Sequence, residues 1–190
     1  LRGRNLGVIY VFNQDLRGFF RLVRTGDSGF LAVMTLGDMS KPDALKVAQG
    51  VTDKRCIAFV HSAIGLPEAK VEIEDIASWR AVAEVAERFT EGRVFLVGDA
   101  AHVMPPMGGF GGNTGVQDAH NLAWKIALVL KGLAGPDLLA TYNNERQPIG
   151  ELAMQQAYTR YVLRVVPERG KDGMQPLVDD LSMEIGYRYY

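Results

Sequence analysis

The stretch GRVFLVGDAAHVMPPMGGFGGNTGVQDAHNLAWKIA, residues 92–127, decides how this chain is read. It opens on RVFLVG, a continuous apolar run of the kind found in a strand covered on both faces. Asp99 follows at the carboxyl end of that run, then the rigid pair Pro105 and Pro106, a series of glycines, and a helix. Val116, Ala119, Ala123, Ile126 and Leu130 recur at helical spacing and predict an amphipathic helix over residues 115–131, ended by Gly132. In an open α/β sheet, ligands sit at the carboxyl ends of the strands, which places Asp99 where it can accept hydrogen bonds from a sugar or polyol. Pro105 and Pro106 carry no N–H and hold their carbonyls stiffly. Gly108, Gly109, Gly111 and Gly112 leave the main chain bare, so a flat ligand can lie against it. The helix starting near residues 113–115 aims unpaired N–H groups and the positive end of its dipole at the same space, which favours an anion or a developing negative charge.

Moving upstream, residues 7–12, 19–24 and 30–36 are short apolar runs rich in Val, Ile, Phe and Tyr, separated by turn-type clusters. They predict an antiparallel meander. Ile57, Val60 and Ile64 share one helical face over residues 54–64, with Gly65 and Pro67 as a stop. AKVEIEDI, residues 69–76, alternates and reads as a half-buried strand, whereas residues 76–89 fit either helix or strand. Downstream, a helix starts near Pro136 and Asp137 and runs toward Val166, with Pro148 expected to bend or split it. PERGKDGMQP, residues 167–176, reads as an exposed connector, and the terminal GYRYY as a strand-like aromatic run.

Composition narrows the function classes. The 190 residues are 47% hydrophobic and 23% charged, with 21 basic and 22 acidic side chains. That supports a packed core and leaves no electrostatic footprint for nucleic acid or anionic lipid. Residues 122–134, the most apolar candidate span, are interrupted by Lys125 and Lys131. No secretory leader is recognisable at the start, so a cytoplasmic location is the expectation. Six of the 21 glycines fall within residues 98–115, so the glycine surplus is local. A single cysteine, Cys56, excludes an internal disulfide and reads as a small apolar helix residue. The chain begins on Leu1 and reads as a piece of a longer protein.

A planar, polyol-bearing ligand that becomes negative during reaction satisfies Asp99, the prolines, the glycines and the helix end together, and reduced flavin meets that description. GDAAHVMPPMGGFGGNTGVQDAHNLAWK, residues 98–125, resembles the second flavin-binding motif of the single-component FAD-dependent aromatic hydroxylases, the p-hydroxybenzoate and phenol hydroxylase superfamily, in the branch of chlorophenol and polyketide hydroxylases. YNNERQP, residues 142–148, resembles the continuation of that family's FAD domain, and the upstream strands its substrate-binding sheet. The resemblance implies an α/β fold: a partial Rossmann-like FAD-binding domain with a β-rich substrate-binding region. Residues 1–90 would form that region, 91–166 the C-terminal part of the FAD domain, and 167–190 a connector and the start of a following segment.

It further implies FAD as cofactor and NAD(P)H as reductant, with a flavin hydroperoxide transferring oxygen to a phenolic or polyketide ring. The partners implied are a small aromatic substrate and molecular oxygen, with oligomerisation left open. Asp99 would bind the ribityl chain. Pro106, Gly109, Gly111, Gly112 and Asn113 would line the flavin, and Pro106 and Met107 would lie beside the substrate. No side chain is assigned as catalytic acid or base, because the reactive atom belongs to the cofactor. A reductase or halogenase on the same scaffold is the alternative, as is an inactive fragment. The chain departs from the family pattern in carrying no GxGxxG: from Gly109 and Gly111 the third position is Thr114. The family's DG motif is not recognisable either, since Lys171, Asp172 and Gly173 lie too far downstream.

His102, His120 and His61 read as structural histidines, His102 bonded to its own loop, with no second ligand spaced for a metal. Asp118 reads as a carboxylate favoured by the helix dipole. Trp124 and Tyr142 read as packing aromatics, while Arg93 and Arg146 pair either with phosphates or with local acids.

Overall fold

The computed structural model describes residues 7–186, apart from the side chain of Glu184. The run expected as a strand at the extreme C-terminus falls on residues 187–190, outside the described residues. The chain forms two compact units, one ending at Trp79 and the other beginning at Arg80.

In the first unit, β1 (Ile9–Phe12), β2 (Leu16–Leu22) and β3 (Gly29–Leu36) form the expected antiparallel meander in the order β1-β2-β3. Tyr10 pairs with Phe19 and Ile9 with Phe20, so the β-branched and aromatic residues stack across the strands. A bulge between Arg17 and Gly18 shifts the register of β2 against β3. Leu16 and Phe20 are buried on one face. On the other, Tyr10, Phe12, Phe19 and Phe30 make a continuous aromatic strip, with ring centroids 5.9–6.2 Å apart. The helix α1 (Asp53–Ile64) begins at Thr52, whose hydroxyl caps the Arg55 N–H, and ends at Gly65 in the left-handed conformation. Cys56 lies half-buried on it. Asn13, Ser62 and Asp15 tie α1 to the β1–β2 turn, with Asn13 Nδ2 donating to Ser62 Oγ at 3.0 Å.

One expectation fails between residues 66 and 89, and one open alternative is decided. Val71 and Ile73 are half-buried and Glu72 and Glu74 exposed, as alternation predicts, yet among the described residues no strand pairs with them. Alternation encodes an extended backbone, whereas a strand also needs a partner ladder. Residues 76–89, which fit either helix or strand, form no helix and carry the short strand β4 (Glu84–Val85).

The second unit is α-rich. β4 pairs antiparallel with β7 (His102–Val103), and β5 (Thr90–Glu91) with β6 (Val94–Phe95) in a tight hairpin. The expected two-sided strand is thus corrected: only Val94 and Phe95 of RVFLVG are in a strand, and Val94 is 61% exposed. Every strand pair among the described residues is antiparallel. The fold therefore mixes helix and sheet.

Two long helices dominate this unit, α2 (Phe110–Leu130) and α3 (Asp137–Val165), followed by the short α4 (Asp180–Ile185). α3 is one continuous helix through Pro148, so of the expected bend or split the split does not occur; the flanking turns carry buried side chains from Tyr142 to Ala153. One apolar cluster centres on Phe89, Ala101, Leu122 and Tyr142, and another on Phe110, Ala153, Ala157 and Met183. Residues 167–176 are largely exposed, as expected, yet they are fastened: Gln156 donates to Pro176 O at 2.8 Å and Thr159 accepts from Gln175 N–H at 3.1 Å. Among the described residues no helix is long and apolar enough to cross a membrane.

Candidate functional site

The site is built from the turns before α2. Gly98–Ala100 is a 3₁₀ turn that carries Asp99, exposed, just past β6. This turn lies close on α2: a Cβ on Gly115 would come within 3.2 Å of Gly98 Cα, so glycine at both positions permits the approach. Pro105 is buried and Pro106 half-buried, leading into a second 3₁₀ turn, Met107–Gly109. Met107 is fully enclosed by protein.

The glycine run is part of the helix rather than a loop ahead of it. α2 starts at Phe110, so Gly111, Gly112 and Asn113 form its first turn, about one turn earlier than the spacing predicts. Gly108 and Gly109 take positive φ of 84° and 69° to deliver the chain into it. Gly109 stands at the N-cap and no side chain caps the helix. The first-turn N–H groups, which no intrahelical carbonyl can satisfy, thus belong largely to residues without side chains. Gly112 is exposed, and a Cβ there would meet nothing within 4 Å. Asn113 folds back, its Nδ2 donating to Gly109 O at 3.0 Å. An exposed, uncapped helix start with bare backbone is a cradle that fits a flat, electron-rich ring, and the residues present fit the isoalloxazine end of a flavin.

Beneath this cradle lies a polar core that the sequence reading misassigned. Thr114, Asp118, Asn121, Leu122 and Lys125 form the buried face of α2, whereas Val116 is 71% and Leu130 81% exposed. Most of the expected apolar stripe therefore points outward, with Ile126 alone of its five residues packed against the cluster of Phe89 and Leu122. The buried charges are matched on α3: Arg146 Nε donates to Asp118 Oδ1 at 2.7 Å, and Lys125 Nζ to Glu145 Oε2 at 2.8 Å. Asn121 also donates to Glu145, at 2.6 Å. Of the two arginines that could pair with phosphates or with local acids, Arg146 meets an acid, its described contacts including Asp118, Thr114 O and Gln117, whereas Arg93 is exposed.

His102 is buried, and it bonds Asp118 rather than its own loop: Nε2 lies 2.7 Å from Asp118 Oδ2. The same oxygen accepts the Gly98 N–H at 3.2 Å. Burial alone would raise the Asp118 pKa, but the donors His102 and Arg146 outweigh it and hold the carboxyl below its usual range. Tyr142 is fully buried, its hydroxyl donating to Leu96 O at 2.8 Å, and burial raises its pKa. Trp124 is 43% exposed and not a core residue. His120 is exposed, and His61 Nε2 lies 2.8 Å from Ala69 O in the first unit.

Four of the five residues of YNNER find their partners here. Tyr142 holds Leu96, Asn143 accepts the Phe89 N–H at 2.8 Å, and Glu145 and Arg146 neutralise the two buried charges of α2. A sequence signal for this existed. Thr114, Asp118, Asn121 and Lys125 repeat at helical spacing just as the apolar stripe does, and only the partners on α3 show which face is inside.

A family model described as FAD binding domain matches residues 3–157. The chain is 57% identical over its whole length to 4-methyl-5-nitrocatechol 5-monooxygenase from Burkholderia sp, of which it covers 35%. It is 39% identical, over 100% of its length, to tetracenomycin A2 monooxygenase-dioxygenase from Streptomyces glaucescens, covering 34% of that protein. Its structure superposes on aklavinone-11 hydroxylase, crystallised with FAD and aklavinone, with a TM-score of 0.86 and 37% identity over 96% of this chain and 33% of that one. The chain spans about a third of the length of these relatives.

Proposed function

Because this chain belongs to the FAD binding domain family, we propose that the full-length protein is an FAD-dependent monooxygenase that uses NAD(P)H and molecular oxygen to hydroxylate a phenolic or polyketide ring. The observation that carries this reading is the exposed, uncapped start of α2, with bare backbone at Gly109, Gly111 and Gly112. Relatives act, by name, on a nitrocatechol, on tetracenomycin A2 and on aklavinone, which supports an aromatic substrate. When bound and reduced, FAD supplies the activation of oxygen.

The chain's own residues hold and orient that group. Asp99 accepts hydrogen bonds from the ribityl hydroxyls. The free N–H groups of Gly111 and Gly112, with Gly109 at the cap and Asn113 closing the turn, would line the pyrimidine edge and stabilise negative charge there, an electrostatic contribution in place before the reaction. Pro106 would stand beside the ring and, with Met107, beside the substrate. In the first unit, the strip of Tyr10, Phe12, Phe19 and Phe30 supports the assignment of residues 1–90 to binding an aromatic ring, since aromatic faces stack favourably on one another. The exposed apolar face of α2 and the exposed Val94 are the surfaces we assign to the remainder of a Rossmann-like FAD domain.

Two measurements test the reading. In the full-length protein, Asp99→Ala should lower the flavin-to-protein ratio after gel filtration while changing stability by less than about 0.5 kcal/mol, because the side chain is exposed. Turnover under isotopically heavy dioxygen should label the hydroxylated product; an unlabelled product overturns the monooxygenase assignment.

A further inference from the structure

Asp118 spans the two halves of the flavin cradle from inside the protein. It is 0% exposed. Its Oδ2 accepts Gly98 N–H, the first residue of the turn that presents Asp99, and also His102 Nε2–H. Its Oδ1 accepts Arg146 Nε–H, and Arg146 reaches on through Nη2 to Thr114 O and Gln117 Oε1, both 3.3 Å away in the first turns of α2. Nδ1 of His102 has no partner among the described residues, so Asp118 is the ring's described hydrogen-bond partner.

We propose, building on the flavin reading above, that Asp118 is a positioning residue that registers the Asp99 turn against the N-terminal turns of α2. Stability alone does not account for it, since well-packed apolar residues often replace a buried ion pair without loss. A carboxylate, unlike an apolar side chain, holds several donors in one fixed geometry. The Lys125–Glu145 pair supplies the contrast. It joins the same two helices further along and makes no described hydrogen bond to the Asp99 turn or to the helix start.

The test compares Asp118→Asn with Glu145→Gln in the full-length protein, reading the melting temperature, the FAD dissociation constant and the flavin midpoint potential. Asn keeps the shape but removes the charge and one acceptor. Asp118→Asn should weaken FAD binding by about tenfold or more and shift the midpoint potential, as loss of a supporting shell does. Glu145→Gln should lower the melting temperature but leave FAD affinity within about twofold and the potential unchanged. Should Asp118→Asn not fold, Arg146→Lys decides: it keeps the buried charge pair without the guanidinium fork and should weaken FAD binding by about threefold or more. Wild-type affinity and potential in the folded variant overturn the proposal. So does loss of affinity in Glu145→Gln in step with its melting temperature. A wild-type protein that binds no FAD fails the flavin reading instead.

Discussion

At the scale of single residues, the glycines separate fold from function. Gly108 has φ of 84°, and a Cβ there would stand 2.5 Å from the Phe110 ring, so Gly108→Ala should destabilise the protein by roughly 1–3 kcal/mol, read from the denaturant midpoint. Gly112 is different. It is helical, its Cβ direction is open, and alanine is favoured over glycine there by up to about 1 kcal/mol. Gly112→Ala should therefore raise the melting temperature slightly while weakening FAD binding in the full-length protein; unchanged FAD affinity would argue that no ligand lies against that turn. Asp118 sets a pH dependence. Its pKa is lowered in the folded state, so its stabilisation is fully present above the unfolded value of about 4 and is lost as pH falls below it. Asp118→Asn should flatten the fall in stability between about pH 4 and pH 2, measured by acid titration of the folded fraction.

At the scale of elements, local signals located helix ends better than they located faces. Gly65 and the Pro136–Asp137 pair at the start of α3 marked boundaries that the structure keeps within a residue or two. The start of α2 lies earlier than the spacing predicts because glycine is a poor helix former in isolation, a propensity that weighs less at a first turn, where the N–H groups have no intrahelical partner in any case. α3 carries the C-terminal segment through Arg160, which donates to Gln156 Oε1, Val178 O and Asp180 Oδ1, each at 2.8 Å, and stacks on Phe110 with its Cζ 5.0 Å from the ring centroid. Arg160→Met should destabilise this segment by at least about 1.5 kcal/mol and speed hydrogen exchange in residues 174–186 ahead of the rest of the unit.

At the scale of the whole molecule, the chain belongs to the FAD binding domain family and carries the residues we assign to one half of a dinucleotide site. It has no GxGxxG to hold an ADP moiety, so the 190-residue polypeptide alone should leave gel filtration without stoichiometric flavin, whereas the full-length protein should retain it. By itself the sequence determined what short-range chemistry encodes: the meander, the three longer helices with the stop at Gly65, and the order of aspartate, prolines and glycines in residues 98–115. Only the tertiary structure decided which face of α2 is inside and what Asp118 does, because Gly98, His102 and Arg146 lie 16 to 28 residues from it. The physical reason is that periodicity defines a face without saying whether it is buried. A charged stripe can be the inner one only if partners elsewhere in the chain neutralise it, and those partners are found by folding.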